Sequence, residues 1–408
     1  MIVLIAGGGI AGLTLALMLH DAGIKARVFE KARSARELGL GINLLPHAVA
    51  ELDRLGLSSQ LEQIGVRTRQ LVYKTAVGQD ILIQPRGLWA GLSHPQYSIH
   101  RGKLHMMLLD AVRSRLGPEN VLTDRELVGL DQDSRAISAE FMTHEGAHFL
   151  EKGDILIGAD GIHSRVRTHF FPDQGHPFWN GVMMWRGAAW ARPFEGGDTM
   201  LIAGGMDRKL VIYPIAYDPA RPSEVLINWV VNVKVAEAGA PPPERNDWSR
   251  RATVEKVLRH FENRLSVPEI DIKYLVEAAP AIFEYPMCDR DGLPLWSHGR
   301  VTLIGDAAHP MYPVGSNGAS QAILDARCLT DKLVQTSDAV AALSMYDAVR
   351  RPITSEIVRM NRAGGPERVI DLVQARATRG FRDVHDLVSE EELQQIVGSY
   401  QKVSVSHQ

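Results

Sequence analysis

The residues of this chain best suited to chemistry lie in and around its glycines. Gly7, Gly9 and Gly12 form a Gly-x-Gly-x-x-Gly run, and Glu30 follows at some distance. Between a strand and a helix, the first glycine permits a tight turn and the second lets backbone approach a pyrophosphate. The third lets the helix pack closely. The helix start offers unpaired N–H groups and a positive dipole end to phosphate. An acid placed roughly 20 residues on accepts hydrogen bonds from ribose hydroxyls. That chemistry is dinucleotide binding, and on this run alone FAD and NAD fit equally well. Two later clusters mix acids with glycine. One is Asp160-Gly161, and the other is Gly305-Asp306 with His309, Pro313, Gly315, Asn317, Gly318 and Asp325. Taken alone, Asp160-Gly161 is a plain turn, and Asp306 with His309 reads as a helix-start pair. No Gly-x-Ser-x-Gly elbow, His-Glu-x-x-His motif or Gly-x-x-x-x-Gly-Lys loop occurs, so nucleophilic elbows and metal centres are not expected.

The flanking sequence supplies elements to hold these groups. Ile2 to Ala6 is a short apolar run suited to a buried parallel strand, and Ile10 to His20 is an apolar helix that Gly23 stops. Ala26 to Phe29 is a second strand ending at Glu30, which completes a β-α-β opening. Two more apolar strands, 154–158 and 301–304, run straight into Asp160-Gly161 and Gly305-Asp306. One nucleotide-binding domain assembled from distant pieces is therefore predicted. Between them, β-prone runs at 183–185, 210–213 and 225–230 lack helical patterning and predict an antiparallel sheet in a second domain. Met183, Met184, Trp185, Tyr213 and Trp229, taken singly, read as its core. Residues 240–243, Ala-Pro-Pro-Pro, form a loop. From Ser320 the pattern is helical, including Ala341 to Arg351, which Pro352 is expected to interrupt or kink.

Bulk properties exclude several classes. A chain of 408 residues is too long for one simple core, which predicts two domains. Its formal charge of -3, with basic residues spread throughout, gives no nucleic-acid footprint. Cys288 and Cys328 have neither CxxC spacing nor a histidine cluster, so two free thiols in a reducing cytoplasm are expected, with no zinc site. Neither an export signal nor an uninterrupted apolar span of about 20 residues is found, so no membrane crossing is expected.

The three clusters, in this order, give the chain a resemblance to the class A FAD-dependent aromatic monooxygenases. The run 158–167, with Asp160, Gly161, Ser164, Arg165 and Arg167, is similar to their Asp-Gly motif. Gly305-Asp306 with His309, Pro313-x-Gly315-x-x-Gly318 and Asp325 is similar to their Gly-Asp motif. Phenazine hydroxylases are the members it resembles most, through 95–102, 184–187, 285–287 and 317–325. The likeness extends to about Pro352 and fades in the tail. It implies an α/β fold of the p-hydroxybenzoate hydroxylase type. A discontinuous Rossmann-like FAD-binding domain would comprise 1–72, 98–175 and 277–340. An antiparallel β-sheet substrate domain would comprise 73–97 and 176–276, and 341–408 would be a helical C-terminal segment.

The resemblance also implies roles. Asp306 would bond a ribityl hydroxyl, and Arg101 would meet the pyrophosphate or ribityl region. Gly315, Asn317 and Gly318 would lead into a helix start beneath the flavin pyrimidine, and Pro313 would lie where oxygen adds. Asp160 would support the cofactor site and a nicotinamide groove. Tyr213 would face the flavin from the sheet, and Arg186 would either pair with a substrate carboxylate or point outward. Many members carry Asn where this chain has Ser320. The implied reaction uses non-covalent FAD, reduced by a transiently bound NADH or NADPH. Oxygen then forms a flavin C4a-hydroperoxide that hydroxylates an aromatic or N-heteroaromatic ring, with loss of carboxylate as one outcome. The implied partners are the ring substrate, O2 and NAD(P)H, with the enzyme a cytoplasmic monomer or homodimer. Three alternatives stand beside it. One is an FAD-dependent NAD(P)H reductase that does not oxygenate, and another is a non-catalytic FAD scaffold. The third, a halogenase, lacks its Trp-x-Trp-x-Ile-Pro segment here.

Overall fold

The computed structural model describes residues 1–34, 40–242, 250–261, 264–377 and 380–405. Strands from widely separated parts of the chain build a five-stranded sheet in the order Val301–Leu303, Ile155–Gly158, Ile2–Ala6, Lys25–Phe29, Val121–Leu122. Every join is parallel. The strands are Val-, Ile- and Leu-rich because both faces are covered. Register pairs Ala6 with Gly158, and Gly158 with Leu303. The Gly7, Asp160 and Asp306 turns therefore emerge side by side at the C-terminal edge, where open α/β sheets bind ligands.

Close packing explains two of the glycines. Gly7 has φ +114°, and a Cβ there would lie 2.3 Å from the Ala159 carbonyl oxygen. A Cβ on Gly12 would lie 2.1 Å from the Gly7 carbonyl oxygen. The first helix, Ile10–Asp21, thus sits directly on its own turn.

The second layer is a seven-stranded sheet in the order Phe283–Asp289, Phe178–Ala191, Val225–Lys234, Arg208–Tyr217, Thr199–Gly204, Gln70–Lys74, Asp80–Pro85. Its period-two alternation separates two faces. Met183, Trp185, Leu210, Ile212 and Trp229 pack in one core with Val257 and Phe261 of the Val254–Phe261 helix. Met184, Arg186, Val211, Tyr213 and Val230 turn the other way, toward a cavity. A small antiparallel sheet of Gly41–Leu44, Gln96–His100 and Gly65–Thr68 is tied to this one by the Asn228 side chain, which accepts the Gly41 N–H at 2.8 Å.

Four details differ from the sequence reading. The large sheet is not wholly antiparallel, because Thr199–Gly204 runs parallel to Gln70–Lys74. No hairpin joins those strands, so no turn dictates their direction. The strand Gln70–Lys74 straddles the expected boundary at 72/73. Phe283–Asp289, expected in the cofactor domain, instead pairs along the edge of the large sheet. Pro352 does not end its helix, which runs from Ala339 to Arg362. Proline removes the bond to the Ala348 carbonyl, but Pro352 and Ala348 both lie on the exposed side of the helix, where the loss costs least. On the buried side, Tyr346, Arg350, Thr354 and Ile357 hold the helix in place. Pro243 of the expected 240–243 loop lies outside the described residues.

Alanine normally stabilises a helix interior over glycine by about 1 kcal/mol. At Gly12 the sign should reverse. Gly12→Ala is expected to lower unfolding free energy by about 1–3 kcal/mol through overpacking, read by urea denaturation; a stabilised variant would contradict the contact.

Candidate active site

Gly9, Arg101, Tyr213, Arg186, Asp306, Pro313, Gly315, Asn317 and Gly318 all line one cavity of about 820 Å³. That size suits a small-molecule or cofactor site. Two helices begin on it, Ile10–Asp21 after Gly9 and Gly318–Gln335 after Asn317, and neither start has a side-chain cap. Their first-turn N–H groups are therefore left for a ligand, with the positive ends of both dipoles. A Cβ at Gly9 or Gly318 would meet nothing within 4 Å, so the space before each start is open. Two positive helix ends facing one open space are features that fit the anionic parts of FAD.

Asp306 faces this space from the turn Gly305–Ala307. Its side chain is open to the cavity, and the neighbouring His309 and Arg101 favour its ionised form. The turn itself is fixed by a buried cluster. Asp325 accepts the Gly305 N–H at 2.9 Å and the Arg350 Nε–H at 2.8 Å, and hydrogen-bonds His309 Nε2. Burial alone would raise Asp325, but His309, Arg350 and the Gly305 N–H outweigh it and hold it at about 2. From the other side, Arg167 Nη1 donates to the carbonyls of Ala307 at 3.1 Å and Ala308 at 2.8 Å. The Asp-Gly and Gly-Asp segments are thus locked together.

The next loop is held from the C-terminal helix, Glu390–Val405. Gly315 and Ser316 both adopt left-handed backbone, with φ +68° and +58°. The Tyr400 ring packs against Gly315, and its hydroxyl accepts from Asn317 Nδ2 at 3.0 Å and donates to Asn361 Oδ1 at 2.6 Å. Ser320 accepts the Leu45 N–H at 3.1 Å, which anchors the Gly318–Gln335 helix to the segment after the small sheet.

Four expected residues stand outside the cavity lining. Gly7 and Gly12 shape the turn. Glu30 accepts the Gly8 and Ala32 N–H groups, each at 2.8 Å, and so braces the glycine loop. Asp160 accepts the Arg165 N–H at 2.7 Å, at the start of the short helix Arg165–Phe170. Burial raises its carboxyl, and its Oδ1 has no partner. Arg186 points inward, with Nη2 on the Gly41 carbonyl and Nη1 3.2 Å from the Tyr285 hydroxyl. Met184 and Tyr213 line the cavity, whereas Met183, Trp185 and Trp229 are core.

Sequence reasoning missed Tyr73, Arg86, the buried Lys209–Glu367 ion pair and Tyr400, all of which line the cavity. For Tyr400 a signal existed, since Leu393, Val397, Tyr400 and Ser404 recur at helical spacing and are buried. The others depend on strand register.

Residues 1–361 match the family described as FAD binding domain, and the chain belongs to that family. It is an FAD-dependent aromatic hydroxylase, a flavoprotein monooxygenase of the phenazine-hydroxylase-like kind. Phenazine 1,6-dicarboxylic acid hydroxylase of Lysobacter antibioticus is 42% identical over 365 residues, which cover 88% of this chain and 89% of that one. 3-Hydroxybenzoate 6-hydroxylase 1 of Aquipseudomonas alcaligenes is 33% identical, covering 88% and 87%. The fold is also that of Klebsiella pneumoniae HpxO, solved with FAD and uric acid. There the TM-score is 0.73 at 22% identity, covering 100% of this chain and 93% of that one.

Two substitutions probe the site. Asp306→Ala should raise the FAD dissociation constant at least about tenfold, or 1.4 kcal/mol, in a flavin-fluorescence titration of apoprotein. Full flavin occupancy in that variant would sink the assignment. Asp325→Asn leaves Arg350 buried without its anion and should cost about 3–5 kcal/mol in urea denaturation. Because Asp325 is held at about 2, below its free value, wild-type stability from this group is complete above about pH 4 and is lost as pH falls through about 2.

Proposed function

We propose that the enzyme hydroxylates a flat, fused or N-containing aromatic ring, with NADH or NADPH as reductant and O2 as oxidant. Bound FAD supplies oxygen activation, which amino-acid side chains cannot provide. Support for the substrate class comes from the cavity floor, where Ile202, Val211 and Val230 present an aliphatic surface beside the phenol of Tyr213. The 42%-identical phenazine dicarboxylate hydroxylase points the same way. Where the attacked carbon bears a carboxylate, hydroxylation proceeds with its loss.

The chain's own groups have separable tasks. The helix starts at Gly9 and Gly318 hold negative charge, the first on pyrophosphate and the second on the reduced ring. Asp306 and Arg101 orient the chain between them. Pro313, Gly315 and Asn317 form the wall beside the reacting edge, with Tyr400 keeping water out behind them. Burial pushes Tyr213 up to about 12, so it is a neutral hydrogen-bond donor at working pH and not a base. Arg186 braces Gly41 and leaves Nε for the substrate. Asp160 supports the rim along which nicotinamide docks. We place the enzyme in the cytoplasm as a monomer or homodimer; among the described residues no helix is long and apolar enough to cross a membrane.

Oxygen uptake and NAD(P)H oxidation, followed with phenazine carboxylates, quinolines and salicylates, test this reading. Stimulation of both by one ring compound, with an oxygenated or decarboxylated product, is expected. NAD(P)H oxidation that proceeds without oxygen into a second acceptor, and yields no oxygenated product, would favour the reductase instead.

A further inference from the structure

Strand register sets Tyr73, Ile202, Val211, Val230 and Arg186 in one row across the large sheet. All five line the cavity. Four inter-strand steps of about 4.8 Å put the ends of this row about 19 Å apart. The middle is aliphatic and the ends are polar. Beyond Tyr73 stands Arg86, whose backbone N–H bonds the Arg69 carbonyl at 2.8 Å and whose guanidinium lies beside the Tyr73 phenol.

The cations on this cavity differ in how they are satisfied. Lys209 is paired with Glu367, both nearly inaccessible. Arg186, likewise without an ion pair among the described residues and with its own Nε unpartnered, spends both Nη groups on Gly41 and Tyr285, whereas Arg86 is held by one side-chain amide. Arg86 has a neutral partner, Gln84 Oε1 at 3.2 Å from Nη2, and forms no ion pair among the described residues. Its Nε is buried with no acceptor within hydrogen-bond geometry, and the Tyr73 hydroxyl, whose oxygen faces the guanidinium, has no acceptor for its own proton. A buried guanidinium without an anion is costly, and a substrate carboxylate accepting from Nε and a phenol would remove that cost.

We propose that Arg86 and Tyr73 form a carboxylate subsite that selects ring acids over neutral rings and fixes which edge of the substrate lies at this end of the cavity. It rests on the reading of the cavity as an aromatic-substrate site and deepens it. The ring lies over Ile202, Val211 and Val230, while its acid group takes the Arg86 Nε–H and the Tyr73 O–H. Arg86 is thus a specificity-determining residue, with no part in activating oxygen.

The test is ligand binding to FAD-loaded protein, read by perturbation of the flavin spectrum, with phenazine-1-carboxylate and its carboxamide as probes. Arg86→Met should weaken carboxylate binding at least about tenfold and leave the carboxamide unchanged, because it removes a charged hydrogen bond. Arg86→Lys should restore part of the loss. Tyr73→Phe, which removes one oxygen atom and leaves the fold intact, should weaken the acid alone by a smaller factor. Equal losses for acid and amide, no loss in either variant, or wild-type protein that binds no ring acid would overturn the subsite. Selective acid binding without any ring-stimulated oxygen uptake would support the subsite while refuting the hydroxylase reading.

Discussion

The buried carboxylate of Asp325 is the constraint on which the site depends. From the helix that starts at Gly318 it takes hydrogen bonds from the Gly305 backbone and His309 of the cofactor turn and from Arg350 of the long helix, so three segments meet at it. An ion this deeply buried is tolerated only when its neighbours are fixed in place. Those neighbours are the cofactor turn and the long helix carrying Arg350. Arg167 reaches in from the Asp160 segment and closes the arrangement. The turn that presents Asp306 is therefore set from both sides before any ligand arrives, as preorganised binding requires.

A second constraint comes from the pleat of the large sheet. Alternation sends Trp185 and Trp229 into a core while Arg186 and Val230 face the cavity. Each tryptophan is anchored on the far side, Trp185 Nε1 to Glu284 and Trp229 Nε1 to the Leu275 carbonyl. A one-residue slip would exchange the faces, so these bonds fix the cavity wall as well as the core. The cavity-side residues Tyr73, Met200, Ile202 and Tyr213 also pack with Val369, Val373, Leu393 and Val397, so the C-terminal helices close over the floor.

How much was legible in the sequence follows from the range of each interaction. Gly7, Gly9, Gly12, Asp306 and Gly318 declare themselves because their work is local, a turn and a helix start that glycine spacing encodes. Of these, Gly9, Asp306 and Gly318 meet in one cavity, while Gly7 and Gly12 shape the turn beneath it. Arg350 and Arg86 carry no local signal, since one acts 25 residues from Asp325 and the other gains meaning only from strands that pair far along the chain. Pro352 misled because local propensity was outweighed by a buried helix face. Asp160 and Glu30 read in sequence as groups that serve the cofactor, whereas in the structure their oxygens serve backbone N–H groups of the neighbouring turns.

The claim at the centre is that one cavity brings a flavin and an aromatic ring together so that oxygen passes from O2 to the ring. Mass spectrometry of the product formed under isotopically heavy O2 tests it most directly. One heavy oxygen atom in the ring product is expected. Product oxygen that comes from water, or a ring recovered without added oxygen while NAD(P)H is consumed, would contradict it.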